Sequence, residues 1–511
     1  MRVIAGMAAQ PIAYTRTSLP DDVEQLKDII ATLSTHLESL HQQILNLRRL
    51  HFGATSERLA GQAELFAEML SLPLPPKVTQ IISYERHRRG RPALPKDLPR
   101  TRLEYDLTAE EKSTFDAVEK IGEEVSETLD YTPAKLTVIV HARAKYVCRK
   151  DGESTIRTAF AQPSPLPKSN ASAGLLAQIL TATFADHLPL HRQERIFKRH
   201  GVELPRSTLC EWKLGAGELL AVLREPLIGH VLNAPRVHSD DTKMPLIEGG
   251  RGSTKAARLW AYLGAGARQD EAGAWSEHAP AVVFEFTHSR ESAHPMRFLQ
   301  NYRGYLQADA YSGYEALYQT GRIIEVACWA HARRKHFEIA KTQKTPGLAA
   351  EAVAWIAKLY EIESRIRDRP PDQKLLVRQA EAVPLLSNFK CWLDAHFPTL
   401  LPQGPLAQAF GYTLRNWTAL TRYTENGVLV PDNNLLESQI RPVAMGRKAY
   451  LFTASERGGH VAATLYSLIG TCRLSGVEPF AYLKDVLQRL PSHSINRVAE
   501  LLPFNWKPAA R

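Results

Sequence analysis

The sequence predicts a multidomain chain with an N-terminal coiled coil, a small β-rich module, a helix-turn-helix, and an α/β domain interrupted by an all-helical insertion. Three observations predict it. At 511 residues the chain exceeds what one hydrophobic core normally fills. Near the start, apolar residues recur in heptads, as in a coiled coil. Beyond residue 236, short apolar strand patterns alternate with amphipathic helices and then give way to helix alone.

The heptads run from Val23. Val23, Ile30, Leu37 and Ile44 take one position, and Leu26, Leu33, Leu40 and Leu47 take the other. Mostly β-branched residues at the first and leucine at the second suit a parallel two-stranded coil, so residues 1–59 are expected to form a zipper and the chain a homodimer through 23–50. Residues 60–100 are expected to be a basic linker. Within them, 86–100 hold six Lys/Arg, one Asp and three prolines, too polar to bury a core. There, Arg89-Gly90-Arg91-Pro92 resembles the core of an AT-hook, whose Arg89 and Arg91 would lie in a narrow A·T minor groove; a plain solvated linker reads equally well.

Residues 101–165 alternate in places and hold the polar turn Lys150-Asp151-Gly152, which predicts a small β-rich module packed on Leu136, Val138, Val140, Tyr146 and Val147. Residues 166–220 read as a helix-turn-helix: apolar from Ala173 to Thr183, amphipathic from Leu190 to His200 and ending at Gly201, then a third stripe that Ser207 can cap. Arg192, Arg206 and Thr208 would then face DNA, with Glu211 near them, unless the segment is an ordinary helical hairpin. The α/β domain is placed at 221–460, with strands at 258–263, 281–286, 304–308 and 323–327, a helical insertion at 341–425, and a helical C-terminal region at 461–511.

Composition narrows the function. Hydrophobic residues at 44% and charged residues at 23% are globular, and 64 Lys+Arg against 54 Asp+Glu leave +10 formal charge. That excess favours a polyanionic partner, because phosphates attract a basic surface and release counterions when it docks. The five cysteines, Cys148, Cys210, Cys328, Cys391 and Cys472, are scattered and odd in number, which argues against a disulfide framework and fits a reducing cytoplasm. No leader pattern and no run of 18 apolar residues stands out, so neither a signal peptide nor a membrane span is expected.

Three acids carry the chemistry. Asp240 closes the apolar alternation of Arg236-Val-His-Ser-Asp-Asp-Thr242, with Asp241 on the opposite face of the strand. Asp309 follows Gly304-Tyr-Leu-Gln-Ala308, and Glu437 sits on the first turn of a helix opened by Asn433 or Asn434. Each alone also reads as a cap, Glu437 as half of a capping box. Together they suit two divalent ions at a phosphoryl-transfer centre, where an in-line displacement needs neutralised charge.

From Val237 onward the chain resembles the IS66-type transposases of the DDE class. The similar stretches are His238-Ser-Asp-Asp-Thr242, Gly304 to Tyr314, Cys328-Trp-Ala-His-Ala-Arg-Arg-Lys335, Pro431 to Glu437, Arg441 to Lys448 and Leu468 to Cys472. Upstream, Phe52 to Glu57 and Ala185 to Gln193 extend the likeness. The resemblance implies an RNase H-like catalytic fold with a helical insertion, a triad of Asp240, Asp309 and Glu437 on Mg²⁺ or Mn²⁺, and DNA as partner: inverted-repeat ends and target. In such enzymes water cuts at the element end to free a 3′-hydroxyl, which then attacks target DNA. It further implies accessory proteins of the same element and a nucleoid-associated place in a bacterial cytoplasm.

Arg333, Arg334, Lys335, Arg441, Arg447 and Lys448 read as phosphate contacts or as solvated helix faces. His331, three residues after Cys328, lacks a second ligand pair and reads as structural or as a flank of the site, with no zinc. The family's β-rich module usually carries two Cys-x-x-Cys pairs; here 101–165 hold only Cys148 and His141, which makes zinc improbable and the module degenerate. The readings that compete with an active transposase are a catalytically inactive DNA-binding descendant and another RNase H-like nuclease.

Overall fold

The computed structural model describes residues 163–508 apart from 168, 248–253, 344 and 452, together with 145–150, 153–158, 136–139 and Asp22. The expected zipper, the linker and most of the β-rich module lie outside the described residues. Strands β1 (Lys145–Lys150) and β2 (Glu153–Thr158) pair antiparallel, Lys150 opposite Glu153. Leu136 and Val138, expected in the module's core, are exposed instead. Neither belongs to a strand among the described residues.

Helices α1 (Ala173–Phe184), α2 (Leu190–Arg199) and α3 (Arg206–Leu220) occupy the expected helix-turn-helix. Leu176, Leu180, Phe184, Phe197, Leu209 and Trp212 bury their common face. Gln193 ties α2 to α1 through Thr183 Oγ1 at 2.9 Å. Ser207 does not cap α3: Pro205 is the N-cap residue, and the orphan amide of Arg206 donates to Glu194 of α2 at 3.2 Å. That bond fixes the angle between the two helices as well as ending one of them.

After α4 (Arg224–Leu232) comes the sheet: β3 (Arg236–Lys243), the short ribbon β4 (Leu246–Ile247) and β5 (Thr254–Lys255), then β6 (Arg258–Gln269) and β7 (Trp275–Thr287). Beyond the short helix α5 (Ala293–Phe298) lie β8 (Gly304–Gln307), α6 (Glu315–Tyr318) and β9 (Ile323–Val326). Five strands form one sheet in the order β7-β6-β3-β8-β9, antiparallel from β7 to β3 and parallel from β3 to β9.

Helices then follow without interruption by strands: α7 (Trp329–Ala340), α8 (Leu348–Ile366), α9 (Pro371–Val377), α10 (Val383–His396), α11 (Pro405–Arg415) and α12 (Trp417–Thr421). They build a second core around Trp329, Ile356, Phe389 and Phe410. The chain returns to the sheet in α13 (Asn434–Tyr450), α14 (Glu456–Leu474) and α15 (Pro479–Arg489). Helix α14 covers the open edge of β7: Ser467 Oγ accepts from the amide of Phe284 at 2.7 Å, and Thr471 Oγ1 accepts from that of Val282 at 3.1 Å. Side-chain hydroxyls thus satisfy an edge that would otherwise be open to another strand. Among the described residues no helix is long and apolar enough to cross a membrane.

Candidate active site

Strand pairing brings the two aspartates together. In the parallel pair, His238 stands opposite Gln307, the last residue of β8. Asp240 and Asp309 each lie two residues further on, so equal register sets them side by side where β8 has ended. Asp240 is within its strand and not at its end as expected, because β6 goes on pairing with β3 as far as Lys243. Directly after Asp309, Ala310 takes a φ of +61°, a left-handed conformation that turns the chain sharply away from the sheet.

Asp241 has a different task. It faces away from Asp240, as alternation along a strand requires, and its carboxylate accepts from Arg258 at 2.7 Å and from Arg290 at 2.6 Å. Arg290 also stands 4.0 Å from Asp309 and stacks on Tyr311. Sequence reasoning missed Arg290, since nothing local to residue 290 points at acids 49 and 19 positions away.

Glu437 is delivered by the segment just before α13. Gln307 donates to the carbonyl of Val430 at 2.9 Å, and Trp329 donates its amide to that of Pro431 at 2.9 Å. Arg236 reaches the carbonyl of Val428 and donates to His238 at 3.0 Å, while the other ring nitrogen of His238 bonds Asn433 Oδ1 at 2.7 Å. Asn433 also donates to the carbonyl of Ser239 at 3.3 Å. His238 is fully buried beside Arg236, and desolvation with that neighbouring cation holds it neutral, pulled down to about 3. A string of neutral and charge-assisted bonds therefore locks the start of α13 onto the strand that carries Asp240. Glu437 is no capping-box partner: Asp432 accepts from the amide of Asn434 at 3.0 Å, and Glu437 Oε1 is buried with no hydrogen-bond partner.

The three carboxyls share one field. Burial pushes Asp240 well above the usual carboxylate range, and the charges of Asp309, Glu437 and Asp241 push it further. Asp309 is raised by burial and by Asp241 against the pull of Arg290, and Glu437 by burial, Asp432 and Asp309 against Arg334 and Arg441. The donor set is all oxygen, which suits a hard divalent cation, and Glu437 keeps one buried oxygen unpartnered although Arg290 and Arg334 offset part of the charge.

The basic residues divide. Arg334 stands 3.8 Å from Glu437, and exposed Lys335 lies over the ring of Tyr412, whose hydroxyl donates to the Asp309 carbonyl at 3.2 Å. Arg333 is buried against Phe337, and Arg447 bonds Thr242 Oγ1 at 3.2 Å and the carbonyl of Lys243, so both hold the fold. Arg441 acts on Glu437 electrostatically, and Lys448 is exposed. Arg192 and Arg206 are exposed and Thr208 half-buried; Arg89 and Arg91 lie outside the described residues.

Residues 168–461, more than half of the chain, match the model of the transposase IS66 family. The chain belongs to that family. The IS66 C-terminal element matches 467–504, and the zinc-finger binding domain of transposase IS66 matches 115–150. A fourth model, described as transposase C of IS166 homeodomain, matches 39–103, so the stretch expected to be a linker, 60–100, lies wholly inside a family match. The zinc-finger match stands against the expectation of a zinc-free module, although 115–150 contain only His141 and Cys148 as soft ligands. Membership gives the chain a transposase and DNA-binding role, DNA as partner, and a class that uses divalent metal.

Three similar proteins come from Sinorhizobium fredii (strain NBRC 101917 / NGR234). Uncharacterized protein y4jD is 34% identical over 515 residues, covering 96% of this chain and 97% of the relative. Uncharacterized protein y4hP is 32% identical over 490 residues, covering 92% and 85%, and y4qI is 30% identical over 510 residues, covering 96% and 93%.

Proposed function

We propose that this family member is an active DDE transposase in which Asp240, Asp309 and Glu437 act on the phosphodiesters of element ends and target DNA. The observation that carries the reading is the single shared field of three carboxyls from β3, from the turn after β8 and from α13. An antiparallel meander joined to a parallel pair, with acids on the first strand, just after the fourth and on a returning helix, supports an RNase H-like catalytic fold.

Held by these carboxylates, two Mg²⁺ or Mn²⁺ ions would neutralise charge at the phosphorus and activate the attacking water or 3′-hydroxyl. The chain's own residues set the stage. Arg258 and Arg290 keep Asp241 out of the set, and His238 with Asn433 keeps Glu437 in it. Arg334 and Lys335 beside the acids, with Arg441 and Lys448 along α13, contact the scissile strand's phosphates. Arg192, Arg206 and Thr208 contact the element end, with Arg89 and Arg91 adding minor-groove contacts. Residues 23–50 pair two copies so that two sites engage two ends.

The test is cleavage of a duplex bearing the element ends in Mg²⁺, comparing wild type with Asp240→Asn, Asp309→Asn and Glu437→Gln. Each substitution should abolish cleavage and leave footprinting of the ends intact. A wild-type protein that protects the ends yet never cuts them would establish the inactive DNA-binding reading instead.

A further inference from the structure

Cys328 has no task in the reaction proposed above, yet it faces the same helix. It stands at the N-cap position of α7 and is fully buried, and its Sγ accepts from the amide of Asn433 at 3.3 Å. One turn along α7, His331 points to the same spot. Its side chain is 21% exposed, which leaves an approach from solvent, and its Nδ1 is buried without a hydrogen-bond partner. Across from it lies the unpartnered Oε1 of Glu437, 3.8 Å from His331 Nε2, on a residue only 8% exposed.

One sulfur, one ring nitrogen and one carboxylate oxygen thus lie within 4.8 Å of one another. In a tetrahedral zinc site, bonds of about 2.0–2.3 Å put ligand atoms roughly 3.3–3.8 Å apart. Closing the cluster therefore takes a shift of about 1 Å, within the reach of side-chain torsions. The donor set is borderline to soft, unlike the all-carboxylate set beside it.

We propose that Cys328, His331 and Glu437 form a second metal site, for a thiophilic divalent cation of the Zn²⁺ class, that shares Glu437 with the carboxylate cluster. Three protein ligands leave the fourth position to water. The Cys328 thiol proton goes to solvent as the sulfur–metal bond forms, and the metal's charge, with the amide of Asn433, supports the thiolate. A cation here holds Glu437 towards α7 and so opposes the Mg²⁺-dependent reaction. This consequence rests on the catalytic reading of Glu437; the binding does not.

The experiment titrates the full-length, metal-free protein with Co²⁺ as the spectroscopic probe. One equivalent should give a thiolate-to-cobalt charge-transfer band in the near ultraviolet, displaced by Zn²⁺. The band should persist in Cys148→Ser and Asp240→Asn and vanish in Cys328→Ser and His331→Ala. A wild type with no band, or a band that survives Cys328→Ser, overturns the proposal. Should Cys328→Ser not fold, His331→Ala decides, a surviving one-equivalent band again overturning it. Zn²⁺ should also inhibit cleavage by wild type. A bound ion that leaves cleavage unchanged counts against the catalytic role of Glu437 and not against the site, so the two failures are distinguishable.

Discussion

At Asp240 the protein keeps a carboxyl where both burial and three neighbouring acids oppose its ionisation. A carboxyl whose pKa is higher in the folded than in the unfolded chain binds protons more tightly when folded, so its contribution to stability is complete in acid and is lost as pH rises. Asp240, Asp309 and Glu437 are all shifted this way. In chelator, the melting temperature contributed by this cluster should therefore fall from about pH 4 towards neutrality, and Mg²⁺ should restore it. Asp240→Asn removes the charge without the shape. It should stabilise the metal-free protein by about 1–2 kcal/mol at neutral pH and erase the Mg²⁺-dependent rise in Tm. It should also lower cleavage by at least roughly a thousandfold. Calorimetry with and without Mg²⁺ checks all of this: a melting temperature flat between pH 4 and 7 in chelator would mean that the acids do not repel one another. Ala310 makes a smaller, separate point. Its φ of +61° costs an alanine about 1–2 kcal/mol, so Ala310→Gly should be neutral or stabilising while loosening the turn that aims Asp309.

Elements meet through a few non-local bonds, and these decide what could be read in advance. The helix-turn-helix, the core strands and the helical insertion were legible because apolar periodicity is local. The same sequence hid the outer half of the β6-β7 hairpin, where Gly266 to Gln269 and Trp275 to His278 pair as a mostly polar arm beyond a bulge between Gly264 and Gly266. Asp240, Asp309 and Glu437 could be singled out as candidates by type and context, but not the bonds that position them. His238 and Asn433 lie 195 residues apart, and neither residue's own neighbourhood names the other. Asn433→Ala should leave the buried His238 ring unpaired, cost about 1–3 kcal/mol and reduce cleavage far more than end binding, which urea unfolding and footprinting would separate. Helix α3 meets α14 at Gly217, where an added Cβ would stand 2.4 Å from Val461. Gly217→Val should thus cost about 1–3 kcal/mol through overpacking, read as a lower urea midpoint, with the Mg²⁺-dependent rise in Tm retained.

Across the whole molecule, +10 formal charge matters only through the cations that reach phosphate. Each phosphate that a Lys or Arg neutralises releases condensed counterions, so the logarithm of DNA affinity falls with the logarithm of salt by about 0.9 per contact. The fold sorts the basic residues that the sequence could only group. Arg206 is exposed at the start of α3 and Lys448 on the outer face of α13, free to meet a backbone. Arg333, two positions from exposed Lys335, is buried over Phe337. Replacing Arg206 or Lys448 by Ala should each lower the salt slope by about 1 and weaken binding nearly uniformly across sequences, with stability unchanged. Arg333→Ala should do the reverse: it should cut stability and leave the slope alone. Titrating one labelled element end at four or five salt concentrations distinguishes the two behaviours. If Arg333→Ala reduced the slope as much as Arg206→Ala does, α7 would have to open towards DNA on binding, and the buried position of Arg333 would be that of the unbound protein only.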